Sequence, residues 1–283
     1  MIQRHSSRRN RLDRAVLNQR LEGAISYDRI AGYFRSSLTR LIVLAERSLA
    51  KLTTFSIVVG EQVRQDLIEH KIVSAEKSIS ISPGINPIIR LEKSKSCSQL
   101  GLPLDRPIIM FVGRLASIKR PDIFVELAKR FEDHPLRPIF AFVGDGPLAD
   151  QLKREAVNLK NLLFLGWRKD LDVVYSSADI VVLCSDNEGM PLSLIEASSI
   201  GVPIIASDVG SVCEIVTDEE NGLLVEAGNI DSFYSNTMRL LENPSLRQKM
   251  SESKHKSRTD FTFKQSASNH AAIYQKLFLE NCG

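Results

Sequence analysis

From Arg106 onward the chain alternates between short uncharged apolar blocks and longer amphipathic stretches at a regular spacing. Pro107–Val112, Ile139–Val143, Leu162–Leu165, Ile180–Leu183, Pro203–Ala206 and Gly222–Val225 carry no charge, the pattern of strands buried on both faces. Between them, Pro121–Phe131, Leu148–Val157, Leu171–Ser176 and a segment from Pro191 place apolar residues at helical spacing. Three further helices are predicted near Ile230–Leu241, Pro244–Ser251 and Phe263–Leu279. Strands alternating with helices in this way imply parallel βαβ units wound into one sheet with helices on both faces.

The pattern upstream is thinner. Phe55–Val59 and Lys77–Ser82 read as strands on either side of a helix at Val63–His70, and Pro83-Gly84 marks a turn and a domain crossing. Residues 37–51 predict a helix with Leu38, Leu41, Ile42, Leu44, Ala45 and Leu49 on one stripe and Arg40, Glu46, Arg47 and Lys51 elsewhere. Such a stripe faces a core more often than it lies on a membrane surface, and both readings stand at this point. Residues 1–26 are Arg-rich and weakly periodic, with one helix expected from about Leu12 to Gly23. The chain divides accordingly into an unrelated or poorly ordered segment 1–36, a small unit 37–84, a polar linker 85–105, a Rossmann-like domain 106–262 and a C-terminal helix 263–283 that crosses back to the N-terminal part.

Composition narrows the class without naming a chemistry. With 43% apolar and 25% charged residues in 283, the chain is an ordinary globular protein of one large or two modest domains. No eighteen-residue apolar run is present, and Arg4–Arg14 is too polar for a secretory leader. The cysteines are scattered without disulfide or metal-ligand spacing, so a reducing cytoplasm is expected. The histidines are equally dispersed, and neither a P-loop nor a Gly-x-Ser-x-Gly elbow appears, so zinc and Ser-His-Asp chemistry are not indicated. Residues 1–51 hold eleven Lys and Arg against four Asp and Glu, an excess that reverses over the rest. That basic end would face a polyanion such as anionic lipid, or be a solvated arm, the preferred reading for residues 1–15.

Candidate chemistry gathers at predicted strand ends. Glu188 follows strand Ile180–Leu183, Pro191 suits the start of a helix, and Glu196 lies about two turns along it. The N–H groups of Gly189, Met190, Leu192 and Ser193 then form a helix N-terminus suited to an anion. Gly113, Arg114 and Lys119 follow strand Pro107–Val112; a planar guanidinium and an ammonium five residues apart suit a diphosphate. Leu165, Gly166 and Trp167 end a third strand and would offer an edge to a nucleotide base, or the Trp is simply packed on the surface. Gly144-Asp-Gly146-Pro-Leu-Ala149 fits a dinucleotide fingerprint only loosely, and no acid ends the next strand, which argues against NAD.

The chain resembles retaining glycosyltransferases of the GT-B fold, in the family-four group also described as glycosyl transferases group 1. The resemblance spans roughly residues 37–280. It rests on Gly113-Arg114 with Lys119, Val143–Pro147, Asn161–Gly166, Ala178-Asp179, Glu188–Pro191 through Glu196-Ala197, Gly201–Pro203, Asp208–Gly210 and Asn221–Leu223. It implies that 106–262 binds a nucleotide-sugar, most readily a UDP-sugar, and that 37–84 is what remains of an acceptor-side domain. Arg114 and Lys119 would hold the donor diphosphate, with Gly113 beside them. Glu188 would be the catalytic residue beside the transferred sugar, residues Gly189, Met190, Pro191, Leu192 and Ser193 would meet phosphate and sugar, and Glu196 would bind the ribose. Neither a metal nor another cofactor is implied. The expected partners are the nucleotide-sugar donor and a glycan or lipid-linked acceptor in lipopolysaccharide or polysaccharide synthesis. A peripheral contact with the inner membrane face is compatible with that role; no nucleic acid is expected. Tyr27–Ser37 is similar instead to a segment of phospholipase D-like nucleases, without that family's His-x-Lys motif, which suggests a joint near Gly32–Ser37 and a truncated or fused chain. The alternative is therefore a non-catalytic nucleotide-sugar-binding fragment, or a subunit lacking the acceptor domain.

Overall fold

Six parallel strands form the larger sheet: β3 (Ile108–Val112), β4 (Ile139–Val143), β5 (Leu162–Phe164), β6 (Ile180–Leu183), β7 (Ile204–Ser207) and β8 (Gly222–Val225), in the order β5-β4-β3-β6-β7-β8. A computed structural model describes residues 37–253 and 261–282; the expectations for segment 1–36, with its helix and its joint near Gly32, lie outside the described residues. A second, two-stranded parallel sheet pairs β1 (Ser56–Val58) with β2 (Ser78–Ser80), in register Ile57 with Ile79. The helices are α1 (Ser37–Ala50), α2 (Glu61–Glu69), α3 (Lys93–Leu100), α4 (Pro121–Arg130), α5 (Ala149–Glu155), α6 (Leu171–Ser177), α7 (Leu192–Ser199), α8 (Ile230–Glu242), α9 (Pro244–Glu252) and α10 (Phe263–Cys282). Among the described residues no helix is long and apolar enough to cross a membrane.

Each central strand is buried on both sides, which is why it reads as an unbroken apolar run. Along β3, Ile108 and Met110 enter one core cluster while Ile109 and Phe111 enter the other. On the second face Phe111, Phe124, Phe140 and Phe142 meet edge-on or tilted, with centroids 4.8–5.6 Å apart. Burying each of these rings stabilises the fold by roughly 1.5–3 kcal/mol before chain entropy is charged against it. The strand order reverses between β3 and β6, so the chain leaves a crevice where their carboxyl ends diverge.

The polar stretch 85–105 carries α3, which the sequence pattern left as linker. Cys97, Leu100 and the following Leu102 are buried in the larger core, and three apolar contacts in a polar run were too few to show a period. The stretch is fastened along α6: Ile89 N–H donates to Asp172 (2.7 Å) and Leu91 N–H to Ser176 Oγ (2.8 Å). Asp179 takes both Lys93 Nζ (2.5 Å) and Ile108 N–H (2.8 Å), tying α3 to the first residue of β3. Replacing Asp179 with Ala is expected to lower stability by roughly 2–4 kcal/mol, because a half-buried ammonium and a backbone donor both lose their acceptor. Urea unfolding measures it, and a loss below about 0.5 kcal/mol, the level of an exposed ion pair, would show the tie to be superficial.

In the smaller unit, Val43, Val58, Val63, Leu67 and Ile72 make a cluster of their own. Of the stripe predicted on residues 37–51, the described side chains of Leu44, Ala45 and Leu49 are exposed. Val43, outside the stripe, enters the cluster, whereas Leu44 and Leu49 are exposed. A two-stranded sheet has too little surface to cover a full helical face. The unit docks on the larger one through Gly60 and α2: Glu214 Oε1 accepts Gln62 N–H at 3.0 Å, at the positive end of the helix. Helix α10 runs back to residues 82–85, where Ile85 N–H donates to Phe261 O (2.9 Å), Phe263 N–H to Ile85 O (3.1 Å) and Ser266 Oγ to Ser82 O (2.9 Å).

Candidate functional site

The crevice between β3 and β6 is bridged by two ion pairs among the described residues, Lys119–Glu188 and Arg120–Asp186. Lys119, on a short 3-10 turn (Ser117–Lys119) after β3, reaches Glu188 Oε1 at 2.5 Å. Ser185 Oγ, at the end of β6, donates to the same oxygen at 2.6 Å, and the Glu188 side chain is only 7% exposed. The backbone keeps the two loops in step: Asp186 N–H donates to Ile118 O at 2.9 Å. Arg120, in left-handed backbone at the start of α4, holds Asp122 and Asp186 beside this pair, and those two acids push its guanidinium pKa above the ordinary value.

Glu188 is followed by a turn into α7. Pro191 precedes that helix as its cap, and the N–H groups of Gly189, Met190, Leu192 and Ser193 meet no acceptor among the described residues. Gly189 makes room rather than a special turn: a Cβ there would stand 3.2 Å from Val59 of the smaller unit. Behind it, Gly210 is in left-handed backbone, and its Cα lies so close to Glu188 that a Cβ would fall 1.7 Å from the Glu188 carbonyl oxygen.

Glu196, farther along α7, is engaged from another direction. Its Oε2 accepts the hydroxyl of Tyr175 at 2.7 Å, from α6. Burial pushes the Glu196 carboxyl above its ordinary pKa and the Tyr175 hydrogen bond works against that rise. Burial first, and then the neighbouring carboxylate, push the Tyr175 hydroxyl well above its own.

Arg114 and Trp167 meet at an open cleft of about 780 Å³, lined also by Gly113, Gly144–Gly146, Arg168 and Lys169. Both side chains are exposed, and Lys169 Nζ lies 5.4 Å from the Trp167 ring centre. Gly144, at φ +138°, is required by packing, since a Cβ would come within 2.0 Å of Gly113 O. Gly113 itself is not: a Cβ there would meet only Phe111, at 3.7 Å, so the space it leaves opens into the cleft. The edge predicted at Leu165–Trp167 is partly taken up by the sheet, as Leu165 N–H donates to Phe142 O and Gly166 O accepts Gly144 N–H, both at 2.8 Å.

The structure therefore brings Lys119 to Glu188 across the neighbouring ends of β3 and β6, and sets Arg114 and Trp167 along one cleft that spans the ends of β3, β4 and β5. It places Glu196 against a residue the sequence did not single out. Tyr175 was visible only as part of a short apolar helix; a Tyr where Phe would fill the same buried space is the one signal of a needed hydrogen-bond partner. Ser185 and Gly210 gave no such signal.

Comparison with known proteins bears on the family and the fold. The profile described as "Glycosyl transferases group 1" matches residues 92–257. The UDP-Gal:alpha-D-GlcNAc-diphosphoundecaprenol alpha-1,3-galactosyltransferase of Escherichia coli is 34% identical over 223 residues, covering 75% of this chain and 57% of its own. The sucrose-phosphate synthase structure from Thermosynechococcus elongatus aligns with a TM-score of 0.76 at 24% identity, over 89% of this chain and 66% of that one. Anabaena HepE in complex with UDP and glucose aligns with a TM-score of 0.73 at 19% identity, over 82% of this chain and 67% of that one. At these identities the structural likeness is one of fold, the Rossmann-like parallel layout of GT-B glycosyltransferases. The chain spans less than two thirds of the length of the curated relatives it matches.

Proposed function

Because the chain belongs to the glycosyl transferases group 1, we propose that it moves a sugar from a UDP-sugar to a glycan or lipid-linked acceptor, with retention at the transferred carbon. The observation that carries this reading is the Lys119–Glu188 pair across the β3/β6 crevice, with four unengaged N–H groups directly after Glu188. Breaking the bond between the sugar and the diphosphate leaves the electron pair on a phosphate oxygen and positive charge on the sugar carbon. The unengaged amides of Gly189, Met190, Leu192 and Ser193 stabilise the leaving oxygens without having to reorganise, Arg114 adds its charge, and Lys119 contributes as it shares or leaves Glu188. Glu188 lies where the sugar would sit, and Glu196 takes the ribose hydroxyls. The acceptor hydroxyl attacks from the face the diphosphate leaves, and its proton passes to that leaving oxygen. Trp167 and its neighbours offer the cleft edge to the base.

The E. coli relative, by its name, transfers galactose from UDP-Gal to GlcNAc-diphosphoundecaprenol, which favours a UDP donor and a lipid-linked acceptor here. A second reading is favoured by the two-stranded sheet beside the complete six-stranded one. In that reading the chain binds the donor and needs another polypeptide for the acceptor side. Both readings require donor binding. UDP at a hundredfold excess over Kd is expected to raise Tm by roughly 5–10 °C, with GDP and ADP weaker. Arg114→Ala should weaken UDP binding about tenfold or more through loss of charge-assisted bonds. No response to any of the three nucleotides would remove the reading. Turnover of UDP-sugars by the purified chain separates transferase from binding subunit.

A further inference from the structure

We propose that Tyr175 is the positioning residue that aims Glu196 at the donor ribose, so that the preference of this site for a complete ribose depends on a hydroxyl that never touches the nucleotide. The inference rests on the nucleotide-binding reading of Glu196 and goes one residue beyond it.

A glutamate on a helix has freely rotating torsions, and Glu196 sits in the fifth position of α7 with no salt-bridge partner among the described residues. A carboxylate that must accept two adjacent hydroxyls has to be held in one rotamer, or its ordering entropy is taken from the binding free energy. Tyr175 supplies that restraint. Its ring is fully buried in α6, so the hydroxyl has a fixed position, and it donates 2.7 Å to Oε2. Oε1 is left without a protein donor among the described residues, and the Glu196 side chain is only partly buried, which leaves that oxygen available to a ligand. The bond has a second effect of the same sign. Burial disfavours the charged carboxylate and the Tyr175 hydroxyl offsets part of that, keeping a better acceptor in place.

A tyrosine in this position has no other evident work. Phe would fill the same volume, and Tyr175 OH is engaged by Glu196. The fold itself does not need the bond, since a partly exposed Glu196 finds water when it is lost.

The test is the ratio of affinities of the full chain for UDP and for its 2′-deoxy and 3′-deoxy forms, by titration calorimetry. The unaltered chain is expected to prefer UDP by roughly tenfold or more, as for a hydrogen bond to a charged group. Tyr175→Phe should reduce that preference to within about threefold while leaving affinity for the deoxy forms nearly unchanged. Glu196→Gln should do the same. The double variant should lose no more than either single one, since the two act as a unit. Thermal unfolding of each variant confirms that the fold is kept. A uniform drop in affinity for all three nucleotides in Tyr175→Phe would assign the tyrosine a merely structural role and overturn the inference, as would an unchanged ratio. The reading of Glu196 itself fails separately, if the unaltered chain binds UDP and the deoxy forms equally.

Discussion

Gly210→Ala is expected to lower stability by roughly 3 kcal/mol or more and to abolish measurable UDP binding, although residue 210 touches no ligand in the proposed mode. Two effects add. The backbone is left-handed there, at φ +52°, which costs an alanine about 1–2 kcal/mol. The new Cβ would then lie 1.7 Å from the carbonyl oxygen of Glu188 and 2.9 Å from its carbon. No rotamer relieves an overlap between two backbones, so one loop has to move by more than an ångström. The segment that moves carries Glu188 and the N–H groups after it, and Ser211 N–H is bonded to Gly189 O at 3.1 Å, so both sides shift together. A displacement of about 1 Å at a positioned group costs on the order of a hundredfold. Gly101→Ala is the control. It has the same left-handed φ, +66°, with nothing within 4 Å of the added carbon, and should lose only about 1–2 kcal/mol with UDP binding intact. Urea unfolding and calorimetry on both variants read the difference. Equal losses would mean that the close approach to Glu188 is not what fixes the site.

The contrast between these two glycines also shows where a sequence is informative. Gly210 ends the Asp208–Gly210 motif and Gly101 caps α3, and the letters alone do not tell which abuts another backbone. The strands of the larger sheet were legible because two-sided burial removes polar residues from Ile108–Val112, Ile139–Val143 and Ile180–Leu183 altogether. Their alternation with helices was enough to place Arg114 and Glu188 at strand ends. The 3-2-1-4-5-6-like order that sets those two ends side by side is a tertiary outcome, and so is the pairing of Lys119 with Glu188 across sixty-nine residues of chain. Lys119 was expected to face a diphosphate directly; in the structure its partner is Glu188. Tyr175 and Glu196 come together only once α6 and α7 have packed. Helix α3 and the exposed side of α1 escaped the pattern for the opposite reason. One buries too few apolar residues to show a period, and the other buries Val43 while Leu44 and Leu49 stay exposed.

Glu188→Gln follows from that unexpected pairing and should separate binding from chemistry. The amide keeps the shape and one oxygen, so Ser185 Oγ and Lys119 Nζ retain an acceptor where Oε1 stood. What disappears is the negative charge. In the unaltered chain the ammonium must leave, or share, a carboxylate at 2.5 Å before it can serve a diphosphate, and that same carboxylate repels the incoming anion. Both effects oppose UDP binding. Relief of a like-charge contact at a half-buried site is on the order of 1 kcal/mol, so UDP should bind roughly three- to tenfold more tightly to the variant. Sugar transfer, or hydrolysis of the UDP-sugar where water is the acceptor, should fall by about 10²–10⁴-fold. In the proposed mode the carboxylate that would face the developing positive charge is gone, and a neutral amide does not replace its electrostatic stabilisation. Tighter UDP binding with lost turnover is a combination that misfolding cannot produce. Weaker binding with turnover unchanged would place Glu188 in ground-state recognition of the nucleotide and remove it from the chemistry.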